Sequence, residues 1–369
     1  MNVTRQTALV SCFFLIILLS SSLPAAETTP VAFSAHQIRW ASNIEMMKGH
    51  VTASLDNLRL GKKERVRAHA SHPLEEHYDL LSRALKARNP DFEAQLRNTL
   101  DGLGRLLHSR FSTDAYEQAI GKLSALLDRA LQILIPSDVL AEPKFQAALI
   151  ARLCQTASEE YSEAVRDVHQ FKLEEYQDAF AFVQRAQILA QRIKGQLPST
   201  AVRLLQQLRE ALPSITPPAT LVPPEDVSKS ARRLASIIEQ ATGGRRSRRG
   251  TSRLLMSPLV VIRSGTFQVD PAQEIADIRD LLDRIKKAYR QGEVQHAKEL
   301  SAVLYLEHFE KIEGELFDKA PELNDRLEPI LGLQIRQLIK AKAPPSEVES
   351  LIAKILPALK EVEKVLTGK

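Results

Sequence analysis

The stretch Gly61–Pro90 holds the residues best suited to chemistry in this 369-residue chain. Three of the nine histidines, His69, His72 and His77, fall there beside Glu75 and Glu76. On a helix, positions 69, 72 and 76 share a face, because three and four residues each make nearly one turn. His69, His72 and Glu76 could then converge, and two imidazoles with one carboxylate are a normal donor set for iron, zinc or copper. His50, on the preceding helix, could supply a fourth group. Pro73 works against this. It lacks the amide that bonds back one turn and biases His72 away from helical geometry, so an interruption between His72 and Glu76 is expected. The plainer alternative is a solvated polar face near a turn, with Glu75 and Glu76 favoured at a helix start by the dipole.

The stretch also recurs. A gap-free shift of 231 positions sets Gly61 on Gly292, Glu76-His77-Tyr78-Asp79 on Glu307-His308-Phe309-Glu310, Leu85 on Leu316 and Pro90 on Pro321. Histidines thin out in the second copy: His50, His69 and His72 become Leu281, Leu300 and Val303. Glu307, Glu310 and Glu313 remain at spacings of three, a slowly drifting row, and form a second candidate metal set. His308 shares a stripe with Ala297, Leu304 and Ile312, where a hydrogen-bonded core histidine is the ordinary case.

Other chemistries lack their residues. The chain has no Gly-rich phosphate loop, Gly-x-Ser-x-Gly elbow or His-Glu-x-x-His pair, so no enzyme activity is expected. Cys12 and Cys154 are the two cysteines, and no Cys-x-x-Cys-His motif for haem attachment is present. Residues 1–25 read as a secretory signal, with Arg5, an apolar run from Cys12 to Leu19 and Leu23-Pro24-Ala25 before the cleavage point. Leu9-Val10-Ser11-Cys12 imitates a lipoprotein box, but its apolar core follows the cysteine instead of preceding it. Cleavage would leave Cys154 alone, so the core, not a disulfide, must hold the fold.

Removing residues 1–25 leaves 49 basic and 45 acidic residues. Five of the positive charges lie in Gly243–Arg253, and without them the balance is −1. The pI of about 9.1 therefore reports one cluster and not a basic surface. With 5% aromatics there is little to stack on bases, so nucleic acid is not an expected partner. Arg245, Arg246, Arg248 and Arg249 could grip an acidic partner or lipid headgroups, with a flexible solvated loop as the alternative.

Helical periodicity dominates the elements that must position these groups. Ile44, Met47, Val51, Leu55 and Leu58 form one apolar stripe in a helix from His36 to Leu60, stopped by Gly61. Helices follow over 62–88, from Phe92, 113–135, 144–169, 173–194 and 200–212. Five prolines between Pro213 and Pro224 read as an extended linker, with a short helix over 226–241. After the Arg-rich loop, Leu259–Ile262 is the one strand-like run, with no partner strand. From Pro271, Ile275, Ile278, Leu282, Ile285 and Tyr289 repeat the first stripe, and three more helices complete the set. The expected class is all-α: two antiparallel helical bundles related by the internal duplication, joined by the Pro-rich linker and Arg-rich loop. The expected divisions are 1–25 signal peptide, 26–212 N-terminal bundle, 213–269 linker and 270–369 C-terminal bundle.

Two stretches carry a family resemblance. Glu159-Glu160-Tyr161-Ser162-Glu163-Ala164-Val165 followed by Glu174-Glu175-Tyr176-Gln177-Asp178-Ala179 resembles the paired E-Y-x-x-A pattern in the helical periplasmic extension of bacterial high-affinity iron permeases. Tyr289-Arg290-Gln291-Gly292, leading to Tyr305-Leu306-Glu307-His308-Phe309-Glu310-Lys311-Ile312-Glu313, is similar to that extension's Y-R-x-G … Y-L-x-x-F-E-x-x-E segment. Together these cover roughly 150–195 and 272–340. The resemblance implies an extracytoplasmic helical module working near iron uptake, with Glu310 and Glu313 as the matching acids. The permease's Arg-Glu-x-x-Glu helices have no counterpart here, so transport by this chain alone is not expected.

The expected function is an exported, soluble, helical metal-binding or metal-handling protein, periplasmic or otherwise extracytoplasmic and accessory to iron uptake. Iron is the first choice of metal, with copper or zinc behind it. The expected partner is a membrane-bound transporter or other membrane protein, with no transmembrane segment in the mature chain. The alternative is a non-catalytic scaffold that presents its helices to such a partner.

Overall fold

The computed structural model describes residues 32–108, 111–166, 171–242 and 269–368. The signal segment with Cys12, the four arginines Arg245, Arg246, Arg248 and Arg249, and the strand-like run Leu259–Ile262 lie outside them. Among the described residues there are helices and no strands, as the all-α expectation requires.

The chain enters helix α1 (Ala35–Arg59) through a capping box. Ser34 Oγ accepts from the Gln37 amide at 3.2 Å, and Gln37 Oε1 accepts from the Ser34 amide at 2.7 Å. Gly61, at φ +74°, turns the chain into α2 (Lys63–His72). A π-turn over Pro73–His77 leads directly into α3 (Tyr78–Arg88). The predicted break at Pro73 is thus a widened turn: His72 and Pro73 keep right-handed helical dihedrals, and the Tyr78 amide bonds back to Pro73 O. Proline has no amide to close the four-residue register, and a π register absorbs that loss. Asn89 caps α4 (Pro90–Leu107), accepting from the Phe92 amide at 3.0 Å.

Next come α5 (Thr113–Leu134), α6 (Ser137–Ala141), α7 (Pro143–Arg166), α8 (Leu173–Arg192), α9 (Ser199–Ala211) and α10 (Pro224–Thr242). Helices α7, α8, α9 and α10 close a ring, each packing on the next and α10 returning to α7. The stretch expected as a linker therefore contains a packed helix. Val227, Ala231, Leu234, Ala235 and Ile238 bury one face of it at helical spacing.

Helix α1 runs through the middle, against α2, α5, α7 and α8. Every residue from Ala41 to Val51 is buried, not only the apolar stripe. A helix surrounded on all sides must satisfy its polar groups internally. Glu45 accepts from Arg185 (Nε at 2.8 Å) and from Lys48 (3.2 Å), and Lys48 also pairs with Asp128.

The C-terminal set is α11 (Pro271–Arg290), α12 (Val294–Leu304), a π-turn over Tyr305–Phe309, α13 (Glu310–Lys319), α14 (Pro321–Pro329), a third π-turn over Ile330–Gln334, α15 (Ile335–Lys340) and α16 (Pro345–Thr367). Gly292 turns α11 into α12 at φ +74°, the value at Gly61. The described residues form one compact unit. Leu80 of α3 sits in the C-terminal core with Ile278, Leu282 and Leu304, and Lys298 pairs with Asp79. The C-terminal helices are thus joined to the first set by packed side chains as well as by the chain.

A candidate metal centre on the central helix

His50 projects from the middle of α1, 2% exposed. Its Nδ1 donates to Asp178 Oδ1 at 2.7 Å, and its Nε2 lies 3.0 Å from His77 Nε2. His69 Nδ1 reaches the same Asp178 oxygen at 3.0 Å. His72 Nδ1 stands 3.5 Å from Asp178 Oδ2 and 3.3 Å from His50 Nδ1. Glu76 lies further out, 3.9 Å from His72 and 3.8 Å from His77. His50, His69 and His72 of the first candidate set are therefore brought together, with Asp178 in the place expected for Glu76. One donor atom from each of His50, His69, His72 and Asp178 lies within 4.8 Å of the others, and His50, Glu76 and His77 form a second such group.

The π-turn decides which residues take part. A π register brings residue i+5 beneath residue i, so His77 follows His72 on the inward face, while Glu76 sits at its edge.

Neighbouring amides decide which ring nitrogen each histidine offers. Asn57 Nδ2 donates to Ala53 O and to Gln177 Oε1, both at 2.9 Å, so Gln177 Oε1 is an acceptor. It accepts from His69 Nε2 at 2.8 Å, so His69 Nδ1, which faces a carboxylate oxygen, must hold either a second proton or a cation. Asn43 Nδ2 donates to Arg39 O at 2.9 Å, which turns Asn43 Oδ1 toward His77 Nδ1 at 2.7 Å. His77 therefore presents its Nε2 lone pair to His50. Lone pairs that face acceptors at such distances need a proton or a cation between them. Second-layer partners that fix tautomer and ring orientation are what metal-ligating histidines ordinarily have.

In the metal-free protein protons take these places: burial would lower His69, but Asp178 and Gln177 outweigh it and raise it above its ordinary value. Burial would raise Asp178, but His50 and His69 outweigh it and hold its carboxyl well below the usual range. Burial pulls His72 down, yet Glu76, Asp178 and Glu175 keep it at about 10. His77 is driven well below its ordinary value by burial and by His50 and His72.

The second candidate set is not brought to one point. Glu307 faces Arg39 at 3.7 Å and Arg152 at 3.6 Å. Burial raises its pKa, but these arginines hold it below the usual value, the behaviour of an ion pair. Glu313 meets Glu163 and Glu328 instead, and neither Glu307 nor Glu310 joins that group. Glu310 is raised well above the ordinary range, by burial and then by Glu159 and Glu313. Glu160, Glu163 and Glu175 form a further acidic group beside Asp178, with Glu175 held up at about 8 by burial and its acidic neighbours. His308 pairs with Glu274 at 2.8 Å, where Lys311 joins them, and its donor atom lies within 4.8 Å of those of Glu274 and Asp277.

The ring of α7 to α10 is where the chain can be compared with known proteins. Residues 136–244 match the iron permease-associated 4-helix bundle domain. No curated protein and no solved structure matches the chain. The match takes in the first of the two resembling stretches, with Gln177 and Asp178, and leaves the 272–340 stretch outside it. The centre is therefore composite. The bundle domain contributes Asp178 and the orienting Gln177, while His50, His69, His72 and His77 come from helices packed against it. Sequence reading placed Gln177 and Asp178 in a family motif but not in the site, and assigned no role to Asn43 or Asn57. No helix among the described residues is long and apolar enough to cross a membrane.

Proposed function

We propose that this chain is an exported, extracytoplasmic metal-handling protein that holds a divalent first-row cation at His50, His69, His72 and Asp178, and works beside a membrane-bound iron transporter. The observation that carries this reading is the arrangement at Asp178. Gln177 takes one ring N–H of His69, so its other nitrogen faces a buried carboxylate that His50 already contacts, a geometry that a proton satisfies in the metal-free protein and that a cation can take over. Imidazole and carboxylate donors suit iron, copper and zinc alike, and the bundle-domain match favours iron. Binding, not catalysis, is assigned. An internal duplication belongs to the same reading, supported by Gly61 and Gly292 at equal φ and by a π-turn following α2 and α12 alike. The second copy places Leu281, Leu300 and Val303, all buried, where the first has His50, His69 and His72.

The test is thermal unfolding of chelator-stripped full-length protein titrated with Fe(II) without oxygen, and separately with Zn(II). At a hundredfold excess over Kd, stabilisation of about 2.7 kcal/mol is expected, and it should vanish in His69→Gln/Asp178→Asn. Melting that ignores both metals would overturn the reading. Export is tested by fractionating cells that express the full chain, and a cytoplasmic product would remove that part.

A further inference from the structure

We infer that His50 is shared between two cation positions, one on each ring nitrogen: Nδ1 with His69, His72 and Asp178, and Nε2 with His77 and Glu76. This rests on the metal-binding reading above and extends it from one cation to two.

The two donor groups have only His50 in common. On the Nε2 side, Asn43 holds the proton of His77 at Nδ1, so the nitrogen facing His50 across 3.0 Å carries a lone pair. On the Nδ1 side, His50 lies 2.7 Å from Asp178. A neutral His50 that keeps its proton on Nδ1 would then set two lone pairs against each other at Nε2. Bulk water is a poor remedy, because His50 and His77 are 2% and 3% exposed. A second proton on His50 removes the conflict in the metal-free protein, and a cation held by both nitrogens can take that proton's place. Glu76, a third of its side chain exposed, places Oε2 3.8 Å from His77 Nε2 on the open side. Two imidazoles, one carboxylate and remaining open positions are a set that suits Fe(II).

Occupying both positions requires His50 to give up its last ring proton, which passes to solvent as the second cation binds. Metal binding at imidazole commonly releases protons in this way. The shared ring then carries one negative charge between two dications. Phe182, edge-on to His50 at 5.1 Å, and Asp178 together fix the plane of that ring.

Cu(II) serves as the probe, because two copper ions on one imidazolate couple magnetically. Stripped full-length protein is titrated with Cu(II), following bound metal and the integrated paramagnetic resonance signal. Two equivalents should bind, with the signal at two equivalents falling below its value at one. Glu76→Gln/His77→Gln should bind one equivalent and keep its full, uncoupled signal. Two equivalents with additive signals would overturn the sharing of His50. One equivalent in wild type, unchanged in the double variant, would overturn the second position and leave the first reading standing. No bound copper at all would sink both. The wild-type titration decides the matter even if the double variant fails to fold.

Discussion

Gln177 Oε1 accepts the Nε2 proton of His69 at 2.8 Å, and that contact determines which nitrogen His69 turns toward Asp178. Replacing Gln177 by Leu removes the acceptor and frees the tautomer while leaving every proposed ligand in place. Zn(II) affinity should fall about 10- to 100-fold, the usual cost of losing an outer partner of a ligating histidine. Gln177→Glu keeps an acceptor oxygen and should retain more affinity. Calorimetric titration of both variants checks this, and equal losses would show that Gln177 only packs.

Gly49 precedes His50 where α1 packs against α8. A Cβ there would stand 2.8 Å from Phe182 Cδ1, and Phe182 is itself 1% exposed, so its ring has nowhere to go. Gly49→Ala should destabilise the protein by about 1–3 kcal/mol, the ordinary range for overpacking. It should also weaken metal binding, because Phe182 is edge-on to His50. Urea unfolding measures the first effect, and Gly49→Ala/Phe182→Leu should recover part of it.

Arg336, from α15, donates to Glu75 O at 2.7 Å and to Glu76 O at 3.3 Å, tying the C-terminal set to the first π-turn. Arg336→Ala should cost about 1.5–3 kcal/mol, the range for hydrogen bonds from a charged group. Since Arg336 holds the turn carrying Glu76 and His77, and makes no contact with His69 or Asp178, the second Cu(II) equivalent should weaken more than the first. Equal weakening would assign Arg336 to stability alone.

The metal-free protein should lose stability as pH rises from about 7 to 9, above the range in which the lowered pKa of His77 acts in the opposite direction. His72 in the folded state titrates at about 10 against an ordinary value of 6.5, and Glu175 at about 8 against 4.5. Both are raised, so each contribution is fully present below the unfolded pKa and is lost as pH climbs through the folded one. The Glu175 contribution declines from about 4.5 to 8, and that of His72 from about 6.5 to 10. Melting temperature in chelator across this range should therefore fall. A rising curve would contradict the direction of both shifts. A bound dication supplies positive charge where the protons were, so the loaded protein should show a shallower slope.

The sequence by itself determined the class, the turns and half of the centre. Helical periodicity with few strand signals leaves only an all-α fold, and glycines after the last apolar position of α1 and α11 stop those helices at Gly61 and Gly292 because φ is positive there. His69 and His72 were legible as one face because three residues make nearly a turn, and His50 because a short connection brings its helix back alongside. The E-Y motifs of 159–179 were legible as part of the bundle domain. The tertiary structure alone decided the rest. Asp178 lies 128 residues from His50 and 109 from His69, and no local periodicity reaches across such separations. Pro73 widens its helix instead of breaking it, because neighbouring helices hold the backbone in place, and that turn carries His77 inward. Glu307 looked like a ligand beside Glu310 and Glu313, yet packing set two arginines from α1 and α7 against it. Spacing tells which residues share a face; only packing tells what that face meets.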